Sequence, residues 1–286
     1  MQYSDFSPEN SQDIICTYQK DRVDATTPFH KHEYYEIFLL LNGELDFYLE
    51  QQDFHMTTGS GLFLSPGIFH FSELPMCGIC DTFCIHIKKE YFRTLNSMQT
   101  NLANVLHQCQ GKPFFCFQLK EIQMEYFFQK SLELDKSLKQ KSFGDDIRSE
   151  CLLKELLLFL NTLPKNSRRF RAAATKMPAV VTNLISYVLE NLDGDLSLDA
   201  LAGLLHHNSQ YMSRCFKETT GIPLQQYIIQ KRLELAKKYL AEGYPLTQAC
   251  YASGFHDYVN FTKSFSRYVG VSPKQYQMQT MRYINE

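Results

Sequence analysis

No stretch of the chain approaches the ~20 consecutive apolar residues that a membrane-spanning helix needs. The start, Met1-Gln2-Tyr3-Ser4-Asp5, carries neither a basic segment nor an apolar run, so no secretory leader is read there. Membrane and secreted classes are set aside, and a cytoplasmic protein with no membrane partner is expected. Paired cysteines are scarce as well. The nine cysteines are scattered, and the single C-x-x-C, Cys77 and Cys80, has no second pair downstream to complete a zinc site. Reduced, packed thiols are the expectation. Net charge is slight, at −2 over 286 residues, which gives no chain-wide basic footprint for nucleic acid.

What is present is the composition of an ordinary folded protein, 44% hydrophobic and 21% charged, with length enough for two cored domains. The charge is unevenly placed. Residues 1–163 carry −8 (14 Lys and Arg against 22 Asp and Glu), residues 164–177 carry +5, and residues 178–286 carry +1. The change at Pro164 marks a boundary, and the polar, basic segment 164–177 between two prolines reads as a linker. The expected organisation is a domain at 1–163, a linker at 164–177 and a domain at 178–286.

The first domain reads as β up to about Ile87. Segments 36–41, 44–50, 61–65 and 82–87 are short and rich in Phe, Tyr, Leu and Ile. Asn42-Gly43, Thr58-Gly59 and Pro66-Gly67 punctuate them, a pattern that predicts a small barrel or jelly roll. Asn42-Gly43 is the strongest hairpin signal. Beyond Lys88 the pattern turns helical over 95–110, 119–140 and 142–163. Leu152, Leu153, Leu156, Leu157, Leu160 and Leu163 form a broad stripe there, either packed on the barrel or forming part of a dimer seam.

Inside the β region stand His30-Lys31-His32, Glu36, Gly43 and, later, Pro66-Gly67-Ile68-Phe69-His70. On a strand, H-x-H sends both rings to one face, and Glu36, an even count from His32, joins them. The aromatics Phe29, Tyr34, Tyr35, Phe38, Phe47, Tyr48, Phe63, Phe69 and Phe71 could line a cavity there, although strand alternation alone puts about half of such residues in any barrel core. The spacing resembles the two motifs of cupins. In metal-bearing cupins those three histidines and the glutamate would be ligands. Resemblance to sensing regulators of similar architecture implies instead an organic, partly apolar or sugar-like effector, held by His30, His32, Glu36, His70, Tyr34 and Phe38 with no metal and no cofactor.

The second domain is helical throughout. Residues 178–191 form an amphipathic pattern. Ser197 caps a helix to Leu205, and Asn208 caps another that ends at Gly221. Pro223 then starts an unbroken helix to about Leu240. Residues 245–252 make a shorter helix, and Asp257 caps the last clear one, with Phe261, Phe265 and Tyr268 on an inward stripe and Gly270 ending it. Two tight helix pairs, each with a polar outer face on its second member, are two helix-turn-helix units. The strut between them spans about 27 Å at ~1.5 Å per residue, short of but comparable with the ~34 Å between major-groove segments on one face of DNA.

Ser197-Leu198, Leu201-Ala202, the run 211–217, Gly221-Ile222-Pro223, Arg232-Leu233, Gly254-Phe255-His256-Asp257, Phe261 and Gly270-Val271-Ser272-Pro273 resemble the AraC/XylS family of bacterial transcription regulators. The match covers about residues 179–278, and the cupin-like domain in front extends it to nearly the whole chain. The resemblance implies an α+β protein: an N-terminal cupin-like β-barrel with flanking helices and a C-terminal all-α domain of two helix-turn-helix units joined by a linker helix. It implies a homodimeric, ligand-responsive regulator of carbohydrate or related metabolic genes, with double-stranded DNA, a small effector and RNA polymerase as partners. By motif position Gln210, Ser213, Arg214, Tyr258, Val259, Thr262 and Lys263 would read bases, and Lys217, Arg267 and Lys274 would meet phosphates. Gln277 and Lys263 depart from family arginines, and Gln277 is expected to cost one phosphate contact. The rival class is a metal-dependent cupin enzyme using His30, His32, Glu36 and His70, which leaves the paired helix-turn-helix units without a role.

Overall fold

The computed structural model describes residues 12–22, 30–49, 52–73, 79–107, 113–164 and 177–285, in two compact units, 1–175 and 176–286. Nearly all of the linker read at 164–177 lies outside the described residues, as do Phe29 and Cys77.

The first unit contains β1 (Ile14–Arg22), β2 (Tyr34–Asn42), β3 (Glu44–Leu49), β4 (Gln52–Thr57), β5 (Ser60–Leu64), β6 (His70–Glu73) and β7 (Cys80–Lys88). These are followed by α1 (Lys89–Thr94), α2 (Asn104–His107), β8 (Phe114–Gln118), α3 (Glu121–Gln140) and α4 (Asp145–Thr162). A five-stranded antiparallel sheet, β1-β7-β2-β5-β8, faces a three-stranded one, β4-β3-β6. Alternation sorts the side chains of the larger sheet between two cores. Phe38, Leu40, Leu62, Leu64, Phe114 and Cys116 pack inward with Leu45, Phe47 and Met56 of the smaller sheet. Ile37, Leu39, Phe63, Phe83, Ile85 and Phe115 pack outward against α3 and α4. With both faces covered, β2 reads as a continuous apolar run, Ile37-Phe38-Leu39-Leu40, rather than as alternation.

Two expectations need correction. Asn42-Gly43 makes no hairpin: β2 pairs with β5 and β7, whereas β3 pairs with β4 and β6, so the chain changes sheets at Gly43. Gly43 has φ +92° there, and a Cβ would sit 2.4 Å from the Ile79 carbonyl oxygen, so the crossing demands glycine for reasons unrelated to a two-residue turn. Among the described residues, 95–107 contain only the short α2, and β8, an edge strand beside β5, was not anticipated. Of the two roles open to the leucine stripe of α4, packing on the sheet is the one the structure shows. Leu152, Leu153, Leu156, Leu157, Leu160 and Leu163 are all buried in the core between α3, α4 and the sheet.

The second unit follows the expected order: α5 (Ala179–Glu190), α6 (Leu198–Leu205), α7 (Ser209–Thr220), α8 (Leu224–Ala241), α9 (Leu246–Ala252), α10 (Tyr258–Val269) and α11 (Pro273–Asn285). Its caps are the anticipated ones. Ser197 accepts from the Ala200 amide, Asn208 from the Gln210 and Tyr211 amides, and Asp257 from the Asn260 amide at 2.6 Å. Gly221 and Gly270 end α7 and α10 at φ +75° and +83°. Phe261 and Phe265 are fully buried, but Tyr268 is exposed, with the Arg267 guanidinium 5.5 Å from its ring centre. Tyr268 lies at i+7 from Phe261, where the drift of the helical repeat turns it out of the narrow core contact.

Candidate effector site and DNA-reading surface

The polar cluster read from the sequence assembles at one end of the sandwich. His30 lies before β2 and pairs backbone to backbone with His70 at the start of β6, by N–H···O bonds of 3.0 and 2.9 Å. This bridge carries the H-x-H segment across to the smaller sheet. His32, Glu36 and His70 are buried. The Nε2 atoms of His32 and His70 lie 3.1 and 3.0 Å from the same atom, Glu36 Oε2. Their other nitrogens are also committed: the Nδ1 groups donate to the carbonyl oxygens of Tyr34 (3.2 Å) and Ile68 (3.0 Å).

A fourth histidine, His86 on β7, was not singled out from the sequence. It stands directly across from Glu36 in the β2–β7 register, buried, with its Nε2 3.8 Å from Glu36 Oε1. Its signal was a lone imidazole in the apolar strand Phe83-Cys84-Ile85-His86-Ile87, legible only once the register is known. Burial pushes the His86 imidazole down to about 4, Glu36 opposing it. Burial pulls the Glu36 carboxyl the other way, but His70, His32 and His86 around it hold it well below the ordinary carboxylate range.

Tyr34 stands edge-on to His32 and His86, with ring centres 6.1 and 6.4 Å apart. Phe38 reaches the cluster only through Phe47, whose ring stacks on His70 at 5.8 Å. Tyr35 and Phe63 line nothing here, because both point to the helix side of the sheet, where Tyr35 stacks on Phe92 at 4.1 Å.

In the second unit, Gln210 and Arg214 on α7 and Val259 and Lys263 on α10 are exposed, while Ser213, Tyr258 and Thr262 are half-buried on the same helices. Lys217, Arg267 and Lys274 are exposed. Arg214 has Glu218 one turn on at 4.0 Å, and both are well exposed, so the pair holds the guanidinium weakly. The Thr262 hydroxyl donates to the Tyr258 carbonyl of its own helix.

Two residues that the sequence reading left without structural roles brace this surface. Arg232 on α8 donates through Nε to the Leu192 carbonyl at 2.8 Å and through Nη2 to the Gly194 carbonyl at 2.7 Å. It thus ties the strut to the loop between α5 and α6. Gly254, in the turn before α10, presses on the same loop, since a Cβ there would lie 2.0 Å from the Leu192 oxygen. Gln277 has a structural partner in the protein: its Nε2 donates to the carbonyls of Leu240 (3.4 Å), at the end of α8, and Tyr244 (2.7 Å), just beyond it.

A sensor sandwich with a buried polar cluster, followed by two capped helix-turn-helix units on one strut, defines a ligand-binding, DNA-binding transcription regulator. Comparison with known proteins agrees. Residues 11–157 match the AraC-like ligand binding domain, and residues 201–279 match a helix-turn-helix domain. The chain belongs to the AraC family. It is 23% identical over 264 residues to the probable transcriptional regulator LumQ of Photobacterium leiognathi, covering 91% of this chain and 96% of that one. The multiple antibiotic resistance protein MarA of Escherichia coli is 27% identical over 103 residues, 36% of this chain and 81% of its own. Among solved structures, apo ToxT K231A of Vibrio cholerae aligns over 94% of this chain and 98% of its own, at 16% identity and a TM-score of 0.40. The matched domains and these named relatives give the cupin-enzyme reading no support. Among the described residues no helix is long and apolar enough to cross a membrane.

Proposed function

We propose that the chain is an effector-responsive regulator without enzymatic activity, which binds double-stranded operator DNA through α7 and α10. Gln210, Ser213 and Arg214 on α7 and Tyr258, Val259, Thr262 and Lys263 on α10 read base edges. Lys217, Arg267 and Lys274 hold phosphates. The observation that carries this is the bracing of the two helix-turn-helix units against one loop, Arg232 and Gly254 both meeting Leu192. Such a junction fixes the spacing of two reading helices, which a protein needs only when both must meet one rigid ligand. On this reading Arg214 bridges O6 and N7 of a guanine.

The effector is a small molecule, sugar-like by the sequence reading, received in the first unit beside His30, His32, Glu36, His70, Tyr34 and Phe38. The regulator acts in the cytoplasm as a homodimer that meets RNA polymerase on genes of carbohydrate or related metabolism. The test is fluorescence anisotropy on the DNA upstream of its own gene, titrated with the full chain, with and without a panel of sugars. Binding to that DNA no tighter than to random sequence would remove the proposal.

A further inference from the structure

The two helix-turn-helix units superimpose in sequence position by position. The caps Asn208 and Asp257, the buried pairs Met212 with Phe261 and Phe216 with Phe265, and the closing glycines Gly221 and Gly270 all stand 49 positions apart. The same step pairs the reading positions: Gln210 with Val259, Ser213 with Thr262 and Arg214 with Lys263. The frame of the second unit repeats that of the first, whereas the chemistry on its outer face does not.

On α7 the first of these positions carries an amide, which can donate and accept at once. On α10 it carries an isopropyl group. Val259 is 57% exposed, and Phe261, two residues on and about 200° round the helix, is the residue that enters the core. The fold gains little from a valine at that position, because most of it stays in water and a β-branched side chain lowers helix propensity. One turn on, the Thr262 hydroxyl donates its proton to the Tyr258 carbonyl of its own helix at 2.9 Å, which leaves none for a base. Of these three positions on α10, only Lys263 then brings a donor to a base edge.

The base edges in the major groove are polar with one exception, the C5 methyl group of thymine. An isopropyl group pressed on any other edge strips water from a donor or acceptor and returns no hydrogen bond. Pressed on that methyl group, it buries apolar surface on both sides. We propose that Val259, with Thr262 beside it, selects thymine through its C5 methyl group in the DNA segment met by α10. The segment met by α7 is read by hydrogen bonds from Gln210 and Arg214, so the two halves of the site differ in chemistry and the operator is not a repeat of one motif. The inference rests on the proposed seating of α7 and α10 on DNA.

The full chain is used to select duplexes from a randomised DNA library, and the preferred sequence is remade with each thymine in turn replaced by deoxyuridine, which lacks only the C5 methyl group. Affinities are read by fluorescence anisotropy at one salt concentration. Replacement of the thymine that faces Val259 should weaken the parent about fourfold, the equivalent of ~0.8 kcal/mol for one buried carbon group. In Val259→Ala that penalty should vanish, whereas Val259→Ile should keep it. Gln210→Ala should bind more weakly overall and keep the penalty, because it acts on the other segment. Alanine is the better helix former and Val259 lies outside the core, so Val259→Ala should fold, which circular dichroism checks. A library that yields no preferred sequence would remove the base-reading surface as a whole and the thymine contact with it. A preferred sequence that tolerates deoxyuridine at every thymine, or a penalty undiminished in Val259→Ala, would overturn the thymine contact alone and leave the base-reading surface standing.

Discussion

Replacing Gly254 by alanine perturbs one methyl group and should disable the DNA-binding unit. The residue sits at φ +87°, and the added Cβ would lie 2.0 Å from the Leu192 oxygen and 2.7 Å from Arg232 Nε. The left-handed backbone costs a non-glycine residue ~1–2 kcal/mol. The carbonyl it strikes is the acceptor of the Arg232 guanidinium, and moving it aside forfeits a hydrogen bond to a charged group worth ~1.5–3 kcal/mol. Together these reach about 2.5–5 kcal/mol, a large share of the ~5–15 kcal/mol by which a domain is stable. Gly270 supplies the control. It also has positive φ, +83°, at the end of α10, but a Cβ there meets nothing within 4 Å, so Gly270→Ala should cost only the backbone term, ~1–2 kcal/mol.

Calorimetry of the full chain, read at the transition of the second unit, should therefore place Gly254→Ala below Gly270→Ala. The gap of ~1.5–3 kcal/mol corresponds to roughly 6–24 °C, at ~4–8 °C per kcal/mol for a domain of about this size. Operator affinity should fall further for Gly254→Ala as well, because the turn that carries α10 is displaced from the loop that positions it. Equal melting temperatures for the two variants would refute the claim that contact with Leu192, rather than backbone conformation, is what excludes a side chain at Gly254.

Other perturbations separate roles on the same surface. Arg214→Ala should cost ~1–3 kcal/mol on the specific site and relax preference at one base pair, whereas Lys217→Ala should weaken all sequences alike and lower the salt slope by about one; a competition titration against random DNA reads both. Gln277→Ala should lose ~1 kcal/mol of stability with its salt slope unchanged, since its donor meets the carbonyls that end α8; a flattened slope would return the residue to the phosphate backbone. The stripe leucines of α4 being buried, the large hydrophobic side chains that helix leaves exposed are Ile147 and Leu158. The double change Ile147→Glu, Leu158→Glu should turn a dimeric full chain monomeric in sedimentation at tens of micromolar, and a dimer that survives it would place the interface elsewhere.

How much of this was readable beforehand depended on how far apart in the chain the deciding contacts lie. The second unit was readable almost residue by residue because its determinants are local. Ser197, Asn208 and Asp257 cap helices through amides two or three residues on, and Gly221 and Gly270 close helices on carbonyls four residues back. Tyr268 was the exception, and a tertiary one, since its exposure depends on how far the core beneath α10 extends. The sandwich was harder because its partners are remote. Asn42-Gly43 has the residues of a tight hairpin, yet Tyr34–Asn42 finds its partners in Ser60–Leu64 and Cys80–Lys88, and no local pattern announces that choice. β8 reads as part of a helical region because its two-sided burial gives the run Phe114-Phe115-Cys116-Phe117, without the alternation of a half-buried strand.

The polar cluster divides along the same line. His30, His32 and Glu36 share a short segment, and strand periodicity was enough to put them on one face. His70 was caught by its place after Pro66-Gly67. His86 joins them only through the β2–β7 pairing, 50 positions from Glu36. Seen in sequence it is one imidazole among apolar neighbours, the pattern of a core histidine. Seen in register it is the third nitrogen facing a carboxylate that already has two. The four side chains, His32, Glu36, His70 and His86, therefore come from three strands and the loop before one of them, so that the cluster exists only when both sheets are closed. Anything that binds to this cluster would therefore be felt by β2, β6 and β7 together, and so by the fold of the sensor as a whole rather than by a single loop.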